Sequence, residues 1–130
     1  MTGLRSPFST WTPLSALLAA VVLPACAPLP PKLEAPSQVT VSTITRLNDH
    51  PCTATVASVL DAYHVPPQSV RDLFYTQRLS GESRLLGYTA WMHLTDQPGS
   101  LVMDVDRSCR FEQAYTRNGA DLSGVYRSAF

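Results

Sequence analysis

Positive charge is scarce at the start of this 130-residue chain and never gathers later. Arg5 is the only charged residue before Lys32. Beyond position 25, nine Lys and Arg face ten Asp and Glu, and no stretch forms a basic stripe. A nucleic acid would have no electrostatic footprint here, so none is expected as a partner. There is no Gly-rich phosphate loop, no G-x-S-x-G and no low-complexity repeat. His50, His64 and His93 lack metal-ligand spacing, so neither a metal nor a cofactor is expected. Long apolar runs are missing too. Residues 14–23 are a run of ten, closed by Pro13 and Pro24, whereas a spanning helix needs about 20 apolar residues.

What is present begins with that short run. A positive residue, a brief apolar core and small residues after it make a secretory signal peptide, assigned to residues 1–25. Leu23-Pro24-Ala25-Cys26 resembles the bacterial lipoprotein signal: an aliphatic residue, two small positions, then the cysteine that carries lipid. Pro24 departs from that pattern, since its slot is usually a small non-proline residue. The resemblance implies that Cys26 is acylated and starts the mature chain. Ala27, where an Asp would retain the protein at the inner membrane, implies sorting to the outer membrane, on its periplasmic face. Two or three acyl chains, at ~0.8 kcal/mol per buried CH₂, make such attachment lasting. A rival reading stands beside it. Ala25-Cys26-Ala27 is an A-x-A site for ordinary signal peptidase, which would release a soluble periplasmic or secreted protein from Pro28.

The chain carries three cysteines, which suits export. With Cys26 acylated, Cys52 and Cys109 remain as an even pair in an oxidising compartment. A disulfide between them would tie the front of a helix to a late turn, worth ~3–4 kcal/mol in the chain-entropy model. Two separate thiols are the alternative.

Residues 26–38 are proline-rich and read as an extended linker, leaving 39–130 as one small domain. Residues 39–45, VTVSTIT, are β-branched apart from Ser42 and predict a short strand. A helix is predicted over about 51–63, capped by Asn48 or Asp49, with Val56, Val59, Leu60 and Tyr63 on one stripe. Ser69-Val70-Arg71-Asp72 has capping-box spacing and predicts a second helix to about Leu79, with Val70, Leu73 and Phe74 inward.

The period then changes to two. Tyr88, Ala90, Met92 and Leu94 share one face of a strand, and Thr89, Trp91 and His93 the other. Gln97-Pro98-Gly99-Ser100 makes a turn into a strand with Leu101, Met103 and Val105 on one side and Val102, Asp104 and Asp106 on the other. A turn at Arg107-Ser108 leads to Phe111, Gln113 and Tyr115 on a third strand. The expected fold class is α+β: two helices packed on one face of a three-stranded antiparallel meander, after a signal peptide and proline-rich linker.

That order resembles the SmpA/OmlA (BamE-like) family of small outer-membrane lipoproteins. Trp91-Met92-His93-Leu94, the Gln97-Pro98-Gly99 turn, the stretch from Leu101 to Asp106 and Arg110-Phe111 carry the likeness, over roughly residues 45–116. The Gly-Met-Thr helix entry of that family is absent. The resemblance implies a non-enzymatic accessory or scaffold role in the outer membrane, with an envelope protein complex as partner. A second stretch, from Pro51 to Tyr63, is similar to the cysteine-bearing helix of papain-like peptidases. A thiol at a helix N-terminus has its thiolate stabilised there. In that alternative Cys52 is the nucleophile, His93 the base and Asp104 or Asp106 its orienter. The Cys-Gly-Pro entry is missing, and the bland role for Cys52 is pairing with Cys109.

Three further groupings have two readings each. His50-Pro51-Cys52, with Cys109, has the donor types for a soft metal; the plain reading of His50 is a capping or surface residue. Asp104 and Asp106 share a strand face and suit acid–base work, or are a solvated face. Trp91 beside Val102 forms a partner-facing patch, unless residues 39–44 fold back over it.

Overall fold

The computed structural model describes residue 3 and residues 29–129. The signal peptide, Cys26 and both candidate cleavage sites lie outside the described residues. Two helices come first, α1 (Gln38–Leu47) and α2 (Thr53–Ala62), then a short 3-10 turn at Pro67–Ser69. Five strands follow: β1 (Val70–Leu79), β2 (Leu85–Leu94), β3 (Ser100–Asp106), β4 (Phe111–Arg117) and β5 (Tyr126–Arg127). The sheet runs in the order β1-β2-β3-β4-β5. The first four strands are antiparallel neighbours, and β5 is parallel to β4. Among the described residues no helix is long and apolar enough to cross a membrane.

The α+β class stands, but the three-stranded meander does not: the sheet has five strands, and two segments exchange their expected types. The β-branched run 39–45 is helical. Ser37 caps α1 by accepting the Thr40 N–H. Thr40 and Ile44, one turn apart, are the buried pair on its inward side. The hydroxyls of Ser42 and Thr45 donate to Val39 and Val41 carbonyls, so these residues satisfy themselves within the helix. Ile44 joins the core, and burial outweighs strand propensity here.

The expected second helix is strand β1. Its i, i+3 pair, Val70 and Leu73, is buried as a helix stripe would be. The cause is a bulge between Val70 and Asp72, which shifts the strand's alternation by one residue. After it the pattern is plainly period two, with Asp72, Phe74, Thr76 and Arg78 on one face and Leu73 and Tyr75 on the other. The helix predicted near 51–63 is α2, somewhat shorter at Thr53–Ala62. Neither Asn48 nor Asp49 caps it; Cys52 holds the N-cap position without a side-chain bond. Asn48 closes α1 instead, its N–H bonding the Ile44 carbonyl and its side-chain amide the Leu73 carbonyl.

Both helices pack on one face of the sheet. Ile44 from α1 and Val56, Val59 and Leu60 from α2 meet Leu73, Ala90, Met92, Leu101 and Met103 in a single core. The last segment returns to this layer through Leu122 and Val125. Residues 39–44 therefore lie on the inner face and do not cover Trp91.

Candidate functional site

The opposite, outer face of the sheet is ordered into rows by strand register. One row runs straight across all five strands: Phe74, Trp91, Val102, Tyr115, Tyr126. Four of its five members are aromatic. Phe74 and Tyr126, at its two ends, are 43% and 59% exposed. The Phe74 and Trp91 rings are parallel within 5°, with centroids 6.0 Å apart, and the Trp91 Nε1–H donates to the Thr76 hydroxyl at 2.9 Å. Val102 is the exception in size and in exposure: it is fully buried at the floor of the row.

On one side lies the row Asp72, His93, Ser100, Arg117. His93 Nδ1 and Asp72 Oδ1 are 2.5 Å apart. That hydrogen bond, with Arg71 beside it, holds the Asp72 carboxyl below its ordinary value. Arg117 leans back over the aromatic row, its Cζ 5.6 Å from the Trp91 ring centroid. On the other side lies the row Thr76, Thr89, Asp104, Gln113. Asp104 is only 5% exposed and accepts from the Thr89 hydroxyl and the Gln113 amide, both at 2.6 Å. Arg78 closes this end. It reaches over Gly87 to donate to the Val105 carbonyl at 2.9 Å and pairs with Glu112.

The residues expected to act together are separated. Cys52 is bonded to Cys109 with their Cα atoms 5.0 Å apart, so the predicted disulfide is present. Cys52 precedes α2 on the inner layer and is fully buried, while His93 points from β2 to the outer face, so the sheet lies between them. Asp104 is engaged with Thr89 and Gln113, four residues along β3 from the Ser100 that faces His93. The carboxylate that meets His93 is Asp72, hidden from sequence reasoning because the Ser69–Asp72 spacing placed it in a helix. Asp106 turns to its own loop, accepting the Ser108 and Arg110 N–H groups and pairing with the Arg110 side chain.

His50 also has a structural occupation. Its ring stacks on Tyr75 at 3.8 Å and meets Tyr88 edge-on at 4.7 Å, and its Nδ1 accepts the Cys52 N–H at 3.1 Å. With both cysteines in the disulfide, the His50–Cys52–Cys109 grouping has no thiolate to offer a metal. Among the described residues no cluster of three or more His, Cys, Asp or Glu is arranged to hold a metal ion.

A cleft of about 560 Å³ opens elsewhere, beyond the end of α2, walled by Tyr63, Val65, Leu94 and Leu122. Its polar lining does not converge: Gln97 already accepts the Asp121 N–H. The outer sheet face, by contrast, combines exposed aromatics, a histidine–carboxylate pair and a stacked guanidinium on one rigid surface. Comparison with known protein families, curated proteins and solved structures finds no match to this chain.

Proposed function

We propose that this chain is a non-enzymatic envelope protein, held by lipid on Cys26 at the periplasmic face of the outer membrane, that docks a partner protein through the outer face of its sheet. The observation that carries the docking reading is the uninterrupted row from Phe74 to Tyr126. Trp, Tyr and Arg are enriched at binding hot spots, the aromatic ones because they bury large areas with few rotatable bonds. Trp91, Tyr115 and Arg117 stand near the middle of this face, and Phe74 and Tyr126 are exposed at its margins. The sheet under them is rigid, being packed on its far side against both helices.

The anchor rests on the leader, on Cys26 and on Ala27. A disulfide between Cys52 and Cys109 suits an oxidising compartment of the kind that leader addresses. A papain-like thiol mechanism needs a free thiolate, and Cys52, as one half of a disulfide, has none.

Two measurements test this. Intact mass of the protein purified from membranes should correspond to residues 26–130 plus acyl chains; an unacylated mass beginning at Pro28 overturns the anchor. A photo-crosslinking residue placed at Phe74 or at Tyr126 in cells should give the same discrete protein adduct from both positions, while one at Arg84 gives none. Absence of an adduct at both row positions overturns the docking reading.

A further inference from the structure

The charges of the outer face are paired with one exception. Asp72 is met by His93 and Arg71, and Arg78 by Glu112 and Asp104. Arg117 has no carboxylate: among the described residues its guanidinium makes no ion pair and no hydrogen bond, and it lies over the Trp91 ring and within electrostatic reach of Tyr115. That stack fixes where the charge sits. Strands lie about 4.8 Å apart, so a side chain rooted on β4 that reaches a ring on β2 must cross β3. Ser100 and Val102, the β3 residues in the same two rows, are 4% and 0% exposed.

Contact with the ring leaves the N–H donors of this guanidinium without a hydrogen-bond partner among the described residues. A planar donor fork held in place by an aromatic ring is prepared for a carboxylate, which it binds in the two-pronged geometry that is the stronger form of this bond. Apolar surface flanks it on both sides, with Phe74 and Trp91 toward β1 and Tyr115 and Tyr126 toward β5. A groove of about 370 Å³ runs beside the fork, lined by Gln113, Tyr115, Arg117, Tyr126 and Ser128.

We infer that the docking face takes an apolar segment of a partner protein that carries a carboxylate, and that Arg117 receives that carboxylate while the aromatic row takes the neighbouring apolar side chains. This rests on the docking reading above and names the chemistry of its partner. A segment bearing Lys at the same place meets the uncompensated positive charge and is disfavoured; a neutral one gains the row and loses the ion pair.

The test uses the purified protein, uniformly labelled with ¹⁵N, and three capped pentapeptides: Leu-Glu-Trp-Glu-Leu, its Gln counterpart and its Lys counterpart. The Glu peptide should shift the Trp91 Nε1–H and Arg117 Nε–H signals and bind about fivefold more tightly than the Gln peptide, the scale of one partly exposed ion pair. Arg117→Gln should erase that difference between the Glu and Gln peptides. Arg117→Lys, which keeps the charge without the planar fork, should restore only part of it. Equal binding of the Glu and Gln peptides overturns the role of Arg117 and leaves the docking face standing. Shifts confined to residues outside the row overturn the partner chemistry, while the adducts at Phe74 and Tyr126 decide the docking face independently.

Discussion

The carboxylate of Asp61 accepts the backbone N–H of Ser37 at 2.7 Å, so the last turn of α2 anchors the residue that caps α1. Its other oxygen accepts the Thr40 hydroxyl at 2.6 Å. These bonds, the Ser37 N–H foremost, hold the Asp61 carboxyl below its ordinary value of 3.8. A carboxylate depressed in the folded state adds stability that is present above its unfolded value and lost as pH falls through the folded one. Asp61→Asn keeps the shape and removes the charge. It should cost about 1 kcal/mol at neutral pH, and the gap from the parent should narrow as pH falls below the ordinary value of 3.8. Urea unfolding at several pH values measures this, and a gap that persists in acid would mean that charge is not what Asp61 supplies.

His50 gives a pH dependence in a higher window. Its Nδ1 accepts a hydrogen bond from the Cys52 N–H, which identifies the neutral ring with hydrogen on Nε2. Burial between Tyr75 and Tyr88 pushes its pKa below the ordinary 6.5. The folded state thus prefers the neutral ring. Stability from this source is complete above the unfolded value and declines as pH falls from about 6.5 through the lower folded value. Protonation also turns Nδ1 from acceptor to donor against the Cys52 N–H. His50→Phe keeps the stack and should flatten the stability profile as pH falls below 6.5, at a cost of roughly 1 kcal/mol for the lost bond at pH 7. An unchanged slope in this variant would assign the pH dependence to another group.

The Cys52–Cys109 bridge closes a span of 57 residues between the start of α2 and the β3–β4 turn. Replacing both cysteines by alanine should lower stability by about 3–4 kcal/mol, a drop in Tm of at least about 10 °C. Thr55 still reaches the Cys109 carbonyl through its hydroxyl, so the turn keeps one link to the helix. The bridge sits in the helix layer and the aromatic row on the far side of the sheet. Trp91 fluorescence in the folded double variant should therefore match the parent, and a shifted emission would show that the bridge shapes the outer face as well.

Those outcomes bear on how far the sequence could be read. The inward and outward sets of β2 and β3 were legible because strict alternation leaves no other face for Ala90, Met92, Leu101 and Met103. The stripe of α2 was legible for the same kind of reason, with Val56, Val59 and Leu60 fully buried. The α1 and β1 assignments went astray where a local signal imitated the other period. Val70 and Leu73 are three apart because of a bulge, and the β-branched run of α1 is outweighed by Ser37, Asp61 and the burial of Ile44. Trp91 was singled out from its strand face alone. Its neighbours Phe74 and Tyr126 were out of reach, since one sat in an expected helix and the other in an unassigned tail. Rows across a sheet are a property of register, which a single strand's pattern does not contain.

Register also makes Gly87 a point of close approach within the sheet. It faces Asp106 across β2 and β3, and a Cβ built on it would lie 2.1 Å from the Val105 carbonyl oxygen and 2.8 Å from Arg78 Nη2. The Arg78 side chain uses the vacant space to reach that same carbonyl and Glu112. Gly87→Ala therefore meets two obstacles of different kinds. The guanidinium is the far end of a flexible chain and can move; the carbonyl belongs to the ladder and cannot without breaking strand pairing. The substitution should cost about 3 kcal/mol, the upper end for forced overpacking. Arg78→Met alone should cost only about 1 kcal/mol, by losing one charge-assisted bond and a partly exposed ion pair. In the double variant the Gly87→Ala penalty should persist almost undiminished, because removing Arg78 leaves the Val105 oxygen in place. Chemical unfolding of the four proteins forms the cycle that checks this. A penalty that vanishes without Arg78 would place the crowding on the guanidinium and not on the backbone of β3.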